Sequence, residues 1–163
     1  MKKNIKNGFT LIEIVVYLAL FAILFTGVVI GAYNVIESSN RTQTKAMLQE
    51  EGNFLISKIN WTLSGAQAIN SPGIGSSGSL LSVTKSTGAV VISSSVTDMD
   101  ISTPTISPAQ PLNNSNTGVS NILFTHKSAG GAEWIDAGFT LTARTPDGKI
   151  LTQGFNTTNY LRR

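Results

Sequence analysis

Residues 8–36 read GFTLIEIVVYLALFAILFTGVVIGAYNVI, and this stretch decides the architecture. Residues 14–36 are 23 consecutive positions without a charge. As a helix they would rise about 35 Å at ~1.5 Å per residue, enough to cross the ~30 Å hydrocarbon core of a bilayer. The run exceeds the ~7–15 apolar residues of a cleaved secretory signal, and beyond Ala32 the sequence continues as helix instead of opening into a loop. One membrane-spanning helix is expected. Lys2, Lys3 and Lys6 precede it, whereas the charges that follow (Glu37, Arg41, Lys45) balance, so the N-terminus is expected in the cytoplasm and the C-terminus outside.

The whole chain has 163 residues and 17.3 kDa, with a mean hydropathy of +0.13 and only 13% charged residues, about half the ~25% usual in soluble domains. It has no cysteine and one histidine, His126. Disulfides, thiol nucleophiles, thiolate metal sites and multi-histidine metal sites within one chain are therefore excluded. The pI of 9.3 suggests a basic protein, but the three leader lysines account for the whole formal charge of +3. Without residues 1–8 the chain is neutral, so it has no basic patch of the kind that binds phosphate backbones, and no nucleic-acid partner is expected.

Glu13 is the anomaly in the apolar run. An acid at the middle of a membrane helix costs ~2.5–3.5 kcal/mol, and less near its end, and such residues usually have a partner. The run itself offers none. Cleavage after Gly8 would turn the Phe9 nitrogen into a cationic amine four residues before Glu13, on the same helix face. That amine could meet the carboxylate within one chain or between neighbours packed side by side.

The sequence Gly8-Phe9-Thr10-Leu11-Ile12-Glu13, with a short basic leader before it and a long apolar helix behind it, resembles the processing site of type IV prepilins and type II secretion pseudopilins. The resemblance covers about the first 35 residues. It implies cleavage after Gly8 by a prepilin peptidase, N-methylation of Phe9, and an assembly role for Glu13 against a neighbour's amine. It also implies other pilin or pseudopilin subunits and an inner-membrane assembly platform as partners. One departure is that no proline occurs before Pro72, where many major pilins kink the helix near the position of Ile30. Gly27 and Gly31 could loosen the helix instead, or form a small-xxx-small step for close packing in lipid. Residues 55–63 and the C-terminal TTNYLRR are similar to J-type minor pseudopilins.

Beyond the anchor, Leu48, Leu55, Ile59 and Leu63 recur at helical spacing, with Ile56 widening the stripe. A helix from 9 to 63 would be roughly 80 Å long, apolar all round in its first half and amphipathic in its second. The segment 71–79, SPGIGSSGS, reads as loop. Its Gly73-x-Gly75-x-x-Gly78 follows Asn-Ser-Pro and precedes strand-like sequence, which argues against a dinucleotide site. Strands are expected at 80–85, 89–96, 122–125, 139–144 and 149–155. The clearest is 139–144, where Phe139, Leu141 and Ala143 alternate with Thr140, Thr142 and Arg144. Thr145-Pro146-Asp147-Gly148 reads as a tight hairpin turn, and 103–118 reads as a long surface loop. The expected fold class is α+β: a long N-terminal transmembrane-to-amphipathic helix packed on a C-terminal antiparallel sheet, which is also the roll that the pilin resemblance implies. The division is a cytoplasmic basic leader at 1–8, a transmembrane and filament-core helix at 9–33, and an extracytoplasmic domain at 34–163.

No catalytic constellation emerges. His126 has no partner acid or nucleophile fixed by sequence, and no G-x-S-x-G elbow occurs. Asp98 and Asp100, with Asp136 or Asp147, are the acids that could contribute to a calcium site, but they lack the spacing of a ligand-rich loop. No other cofactor is expected. Asn60, Asn113 and Asn156 begin N-x-S/T triplets. The expected function is a structural subunit of a type IV pilus or type II secretion pseudopilus, with a minor component favoured. The rivals are a membrane-anchored binding module that never polymerises and a tethered hydrolase using His126.

Overall fold

The structure, a computed structural model, describes residues 9–161. Lys2, Lys3, Lys6 and Gly8 therefore lie outside the described residues, as do Arg162 and Arg163. The chain divides into two compact units, 1–40 and 41–163.

Helix α1 (Leu11–Leu63) is 53 residues long and begins in the first unit. Its apolar N-terminal portion is solvent-exposed along its length and passes, by length and composition, as a membrane span. Within the second unit its burial is periodic. Thr44, Leu48, Gly52, Leu55, Ile59, Thr62 and Leu63 are buried, the stripe expected of a helix with one wet face. Gly52 is buried for a steric reason. A Cβ at this position would fall inside the ring of Phe155, so the backbone of α1 can approach the sheet only where no side chain intervenes.

Among the described residues nine antiparallel strands follow: β1 (Ala68–Ser71), β2 (Ser77–Gly78), β3 (Leu81–Lys85), β4 (Gly88–Ser94), β5 (Met99–Thr103), β6 (Ile106–Pro111), β7 (Thr117–Ala129), β8 (Ala132–Arg144) and β9 (Ile150–Tyr160). They form two sheets, ordered β1-β3-β4-β5-β6 and β2-β7-β8-β9. One apolar core joins them to α1. Leu48, Leu55 and Ile59 pack with Leu81, Val83, Ile92 and Met99 from the first sheet and with Phe124, Ile135, Leu141 and Phe155 from the second.

The α+β class and the helix to Leu63 agree with the sequence reading, but the single sheet becomes two. Strand β8 buries Phe139, Leu141 and Ala143 and turns Thr140, Thr142 and Arg144 outward, as the alternation predicts. The turn at 145–148 joins β8 to β9. The Gly148 N–H donates to the Thr145 carbonyl at 2.8 Å, the Thr145 N–H donates to the Lys149 carbonyl at 2.8 Å, and Gly148 sits at φ +86°, where only glycine is unstrained. The segment 103–118 is not one long loop. It contains β6, which pairs with β5, and the start of β7. The sequence hides β6 because all six of its residues are exposed, so no apolar alternation marks it. Strand β2 likewise falls inside the glycine-rich 71–79 segment.

Candidate functional site

The segment singled out by sequence is the start of α1. Thr10 is the residue that caps it. The Glu13 N–H donates to the Thr10 carbonyl at 3.1 Å and approaches the Thr10 hydroxyl at 3.4 Å, while the Ile14 N–H reaches the same carbonyl at 3.3 Å. Thr10-Leu11-Ile12-Glu13 thus has the T-x-x-E composition of a capping box, which places a carboxylate in the first turn where the helix dipole favours it. This signal was available in the sequence, and it gives Glu13 a local reason to be acidic. Glu13 is half-buried, and its Oε1 accepts a hydrogen bond from the Tyr17 hydroxyl at 3.3 Å, one turn on. Tyr17 also meets the exposed ring of Phe9 edge-on, with centroids 6.4 Å apart. Phe9, Glu13 and Tyr17 therefore form one cluster, and Tyr17 is the member that sequence reasoning did not single out. Its i+4 spacing from Glu13 was the legible clue.

Past this cluster the helix surface is apolar. Within it the Thr26 hydroxyl donates back to the Ala22 carbonyl at 2.8 Å, so the one hydroxyl of the run's middle is satisfied inside the helix. The helix continues through Gly27 and Gly31, and a Cβ at either would meet nothing within 4 Å. Both glycines present open backbone on the helix surface.

The acids considered for calcium do not converge. Among the described residues no three His, Asp or Glu side chains gather around one point. Asp98 accepts from the Asn113 amide at 3.0 Å. Asp136 pairs with Lys127 at 2.8 Å and accepts from the Thr158 hydroxyl at 2.7 Å. The Lys127 and Thr158 hydrogen bonds hold its carboxyl below the ordinary carboxylate range. Asp147 lies 3.4 Å from Lys149 and is also lowered, first by its hydrogen bond with Thr145.

His126 is buried, with Nδ1 3.0 Å from the Pro72 carbonyl and Nε2 3.7 Å from Glu133. The His126 backbone bonds Gly75 and Ser76 as well, at 2.8 and 3.1 Å, so this residue fastens the 71–79 segment to β7. A carbonyl and a carboxylate face its ring, which is a structural setting. The Gly73, Gly75 and Gly78 motif leads into β2 and no helix, and so lacks the helix N-terminus that a pyrophosphate needs. Of the three N-x-S/T asparagines, Asn60 and Asn156 are exposed but Asn113 is buried. The Asn113 side chain receives the Met99 N–H at 2.9 Å and donates to the Thr117 carbonyl at 2.9 Å, so it ties β5 to β7.

Comparison with known proteins bears on the N-terminal segment. The family model described as the prokaryotic N-terminal methylation motif matches residues 3–29, which supports the resemblance to prepilin- and pseudopilin-type proteins at this segment. No curated protein and no solved structure matches the chain.

Proposed function

We propose that the chain is a structural subunit of an extracytoplasmic filament, either a type IV pilus or a type II secretion pseudopilus, and a minor component of it. A prepilin peptidase removes residues 1–8 on the cytoplasmic side, and the new Phe9 amine is methylated. The helix, held in the inner membrane with its N-terminus inside, then moves into the filament by packing against other pilin or pseudopilin helices on an assembly platform. One observation carries this reading: Gly8, Phe9 and Glu13 stand in register with a helix that is capped at Thr10 and is uncharged and exposed from 14 to 36. Exposed apolar surface on that scale needs lipid or other helices around it. The Phe9 amine would supply Glu13 with its counter-charge, and Gly27 and Gly31 offer places where helix backbones approach closely. The subunit serves as a substrate of the peptidase and carries no cofactor of its own.

The test is the intact mass and the N-terminal peptide of the protein from its native membrane. A chain beginning at N-methyl-Phe9 supports processing. A chain beginning at Met1 or Lys2, with the peptidase present and active, overturns it.

A second reading has its own observation. Because Tyr17 already donates to the Glu13 carboxylate and the first helical turn favours an acid there, the chain could also serve as an uncut anchor for a binding module. Glu13→Gln separates the two. It keeps a capping-competent side chain and removes the charge, so assembly fails under the filament reading and nothing changes under the anchor reading.

A further inference from the structure

Residues 11–25 contain two polar side chains, Glu13 and Tyr17. In hydrocarbon neither finds water, and a polar group left without a partner there is costly. Their spacing of four puts them on one helix face. Side chains of a helix lean toward its N-terminus, so the long tyrosine is the member that reaches back over the preceding turn. Its hydroxyl donates to Glu13 Oε1 at 3.3 Å. That separation is at the long end for a hydroxyl donor, and a carboxylate has about four acceptor positions. The bond therefore holds the acid without saturating it.

The same side chain also touches the residue that carries the future amine. The Phe9 ring meets the Tyr17 ring edge-on, with centroids 6.4 Å apart and planes at 75°, a favoured aromatic geometry. Tyr17 thus contacts both sides of the charge pair with different parts of itself. Its hydroxyl is on the acid, and its ring is on the side chain of the residue whose nitrogen cleavage would free. The other tyrosine of α1, Tyr33, has Val29 four residues before it, so no carboxylate stands at the matching position.

We propose that Tyr17 is the positioning residue for Glu13 in the unassembled subunit. Its hydroxyl gives the carboxylate a donor inside the membrane before a neighbour's amine is present, and its ring keeps Phe9 along the face on which Glu13 stands. A cationic amine is a stronger donor to a carboxylate than a neutral hydroxyl. On assembly the amine takes the open acceptor positions, and Tyr17 is left as a secondary contact. The proposal rests on the filament reading above and adds to it a residue outside the processing sequence 8–13.

The full chain in lipid vesicles, with ¹³C in its glutamates and tyrosines, gives the first readout. Solid-state NMR should show a through-space contact between the Glu13 carboxyl carbon and the hydroxyl-bearing ring carbon of Tyr17, with Glu13→Gln identifying the glutamate signal. Tyr17→Phe keeps the ring and removes only the hydroxyl. It should shift the Glu13 carboxyl signal, whereas Tyr33→Phe should leave that signal in place; a role confined to ring packing would move it in neither variant.

The second readout is assembly in cells. Tyr17→Phe should be cleaved and N-methylated like the parent chain, while filament yield falls by about tenfold, the scale of one hydrogen bond to a charged group. Tyr33→Phe should assemble normally. Absence of the NMR contact, a Glu13 signal that ignores the hydroxyl, a Tyr17→Phe chain left uncleaved, or parental filament yield from it would each overturn the proposal. If Glu13→Gln still failed to assemble, the filament reading would survive that result. Parental yield from Glu13→Gln would instead remove the charge pairing itself, and the role of Tyr17 with it.

Discussion

The contact between Gly52 and Phe155 sets the seat of α1 on the sheet, and substituting the glycine puts two effects of known sign in opposition. Gly52→Ala should gain about 1 kcal/mol of helix propensity. Against this, the new methyl would overlap the Phe155 ring. Over-packing of a core costs about 1–3 kcal/mol. The upper part of that range applies because the ring has little room to retreat. Phe155 is only 6% exposed and is stacked on Phe139, with centroids 5.4 Å apart and planes at 16°. The expected net result is a loss of about 1–2 kcal/mol. Phe155→Leu alone should cost about 1–2 kcal/mol through the space it leaves. In the double variant the alanine methyl enters that space, so the coupling between the two changes should be about 2 kcal/mol in the stabilising direction. Equilibrium urea unfolding of the full chain in micelles, followed by tryptophan fluorescence, measures all four corners of the cycle. A Gly52→Ala protein that is more stable by the full ~1 kcal/mol, with no coupling to Phe155, would show that α1 does not rest on β9 in this way.

Other expectations follow from single residues. Glu13→Ala should leave the thermal midpoint of the second unit within about 1 °C while filament yield falls, because among the described residues Glu13 hydrogen-bonds within its own helix start; electron microscopy and a melting curve read the two together. Asn113→Ala should cost about 2–3 kcal/mol, since it leaves the Met99 N–H and the Thr117 carbonyl without their buried partner, and a urea midpoint reports it. Asp136, with its carboxyl lowered in the folded chain, binds fewer protons folded than unfolded near pH 3–4. Its contribution is therefore present above about pH 3.8, the unfolded value, and is lost as the pH falls below it. Both partners are partly exposed, at 50% for Lys127 and 33% for Asp136, so screening limits the effect to about 0.5 kcal/mol. Asp136→Asn should lower the urea midpoint slightly at pH 7 and not at pH 2.5.

What the sequence made legible follows the physical strength of each signal. The anchor was plain because 23 uncharged residues have few alternatives, and β8 because strict alternation under burial leaves a period of two. The stripe at Leu48, Leu55, Ile59 and Leu63 was legible for the same reason at a period of 3.6. Strand β6 was not legible because an edge strand exposed on both faces has no period to show. Strand β5 is hidden in the sequence by the acids Asp98 and Asp100 on either side of Met99, although Met99 and Ile101 form the buried alternation beneath them. Gly130-Gly131, both with positive φ between β7 and β8, is a two-residue hairpin signal, because such turns need positive φ at both central positions.

Glu13 shows the limit of such reading in the other direction. The apolar run offers its carboxylate no charged partner until cleavage creates an amine, on the same chain or a neighbour, yet the Tyr17 hydroxyl four residues later reaches the carboxylate and Thr10 three residues earlier caps the Glu13 N–H. A carboxylate in the first turn of a capped helix and a carboxylate awaiting a neighbour's amine are compatible. The cap orients the first turn and fixes the face on which the acid stands, so cleavage would deliver the amine to a carboxylate already held in place. Only a variant that keeps the cap and removes the charge can divide these two roles. If Glu13→Gln assembled normally, capping would suffice as the reason for the residue and the charge pairing would have no part in assembly.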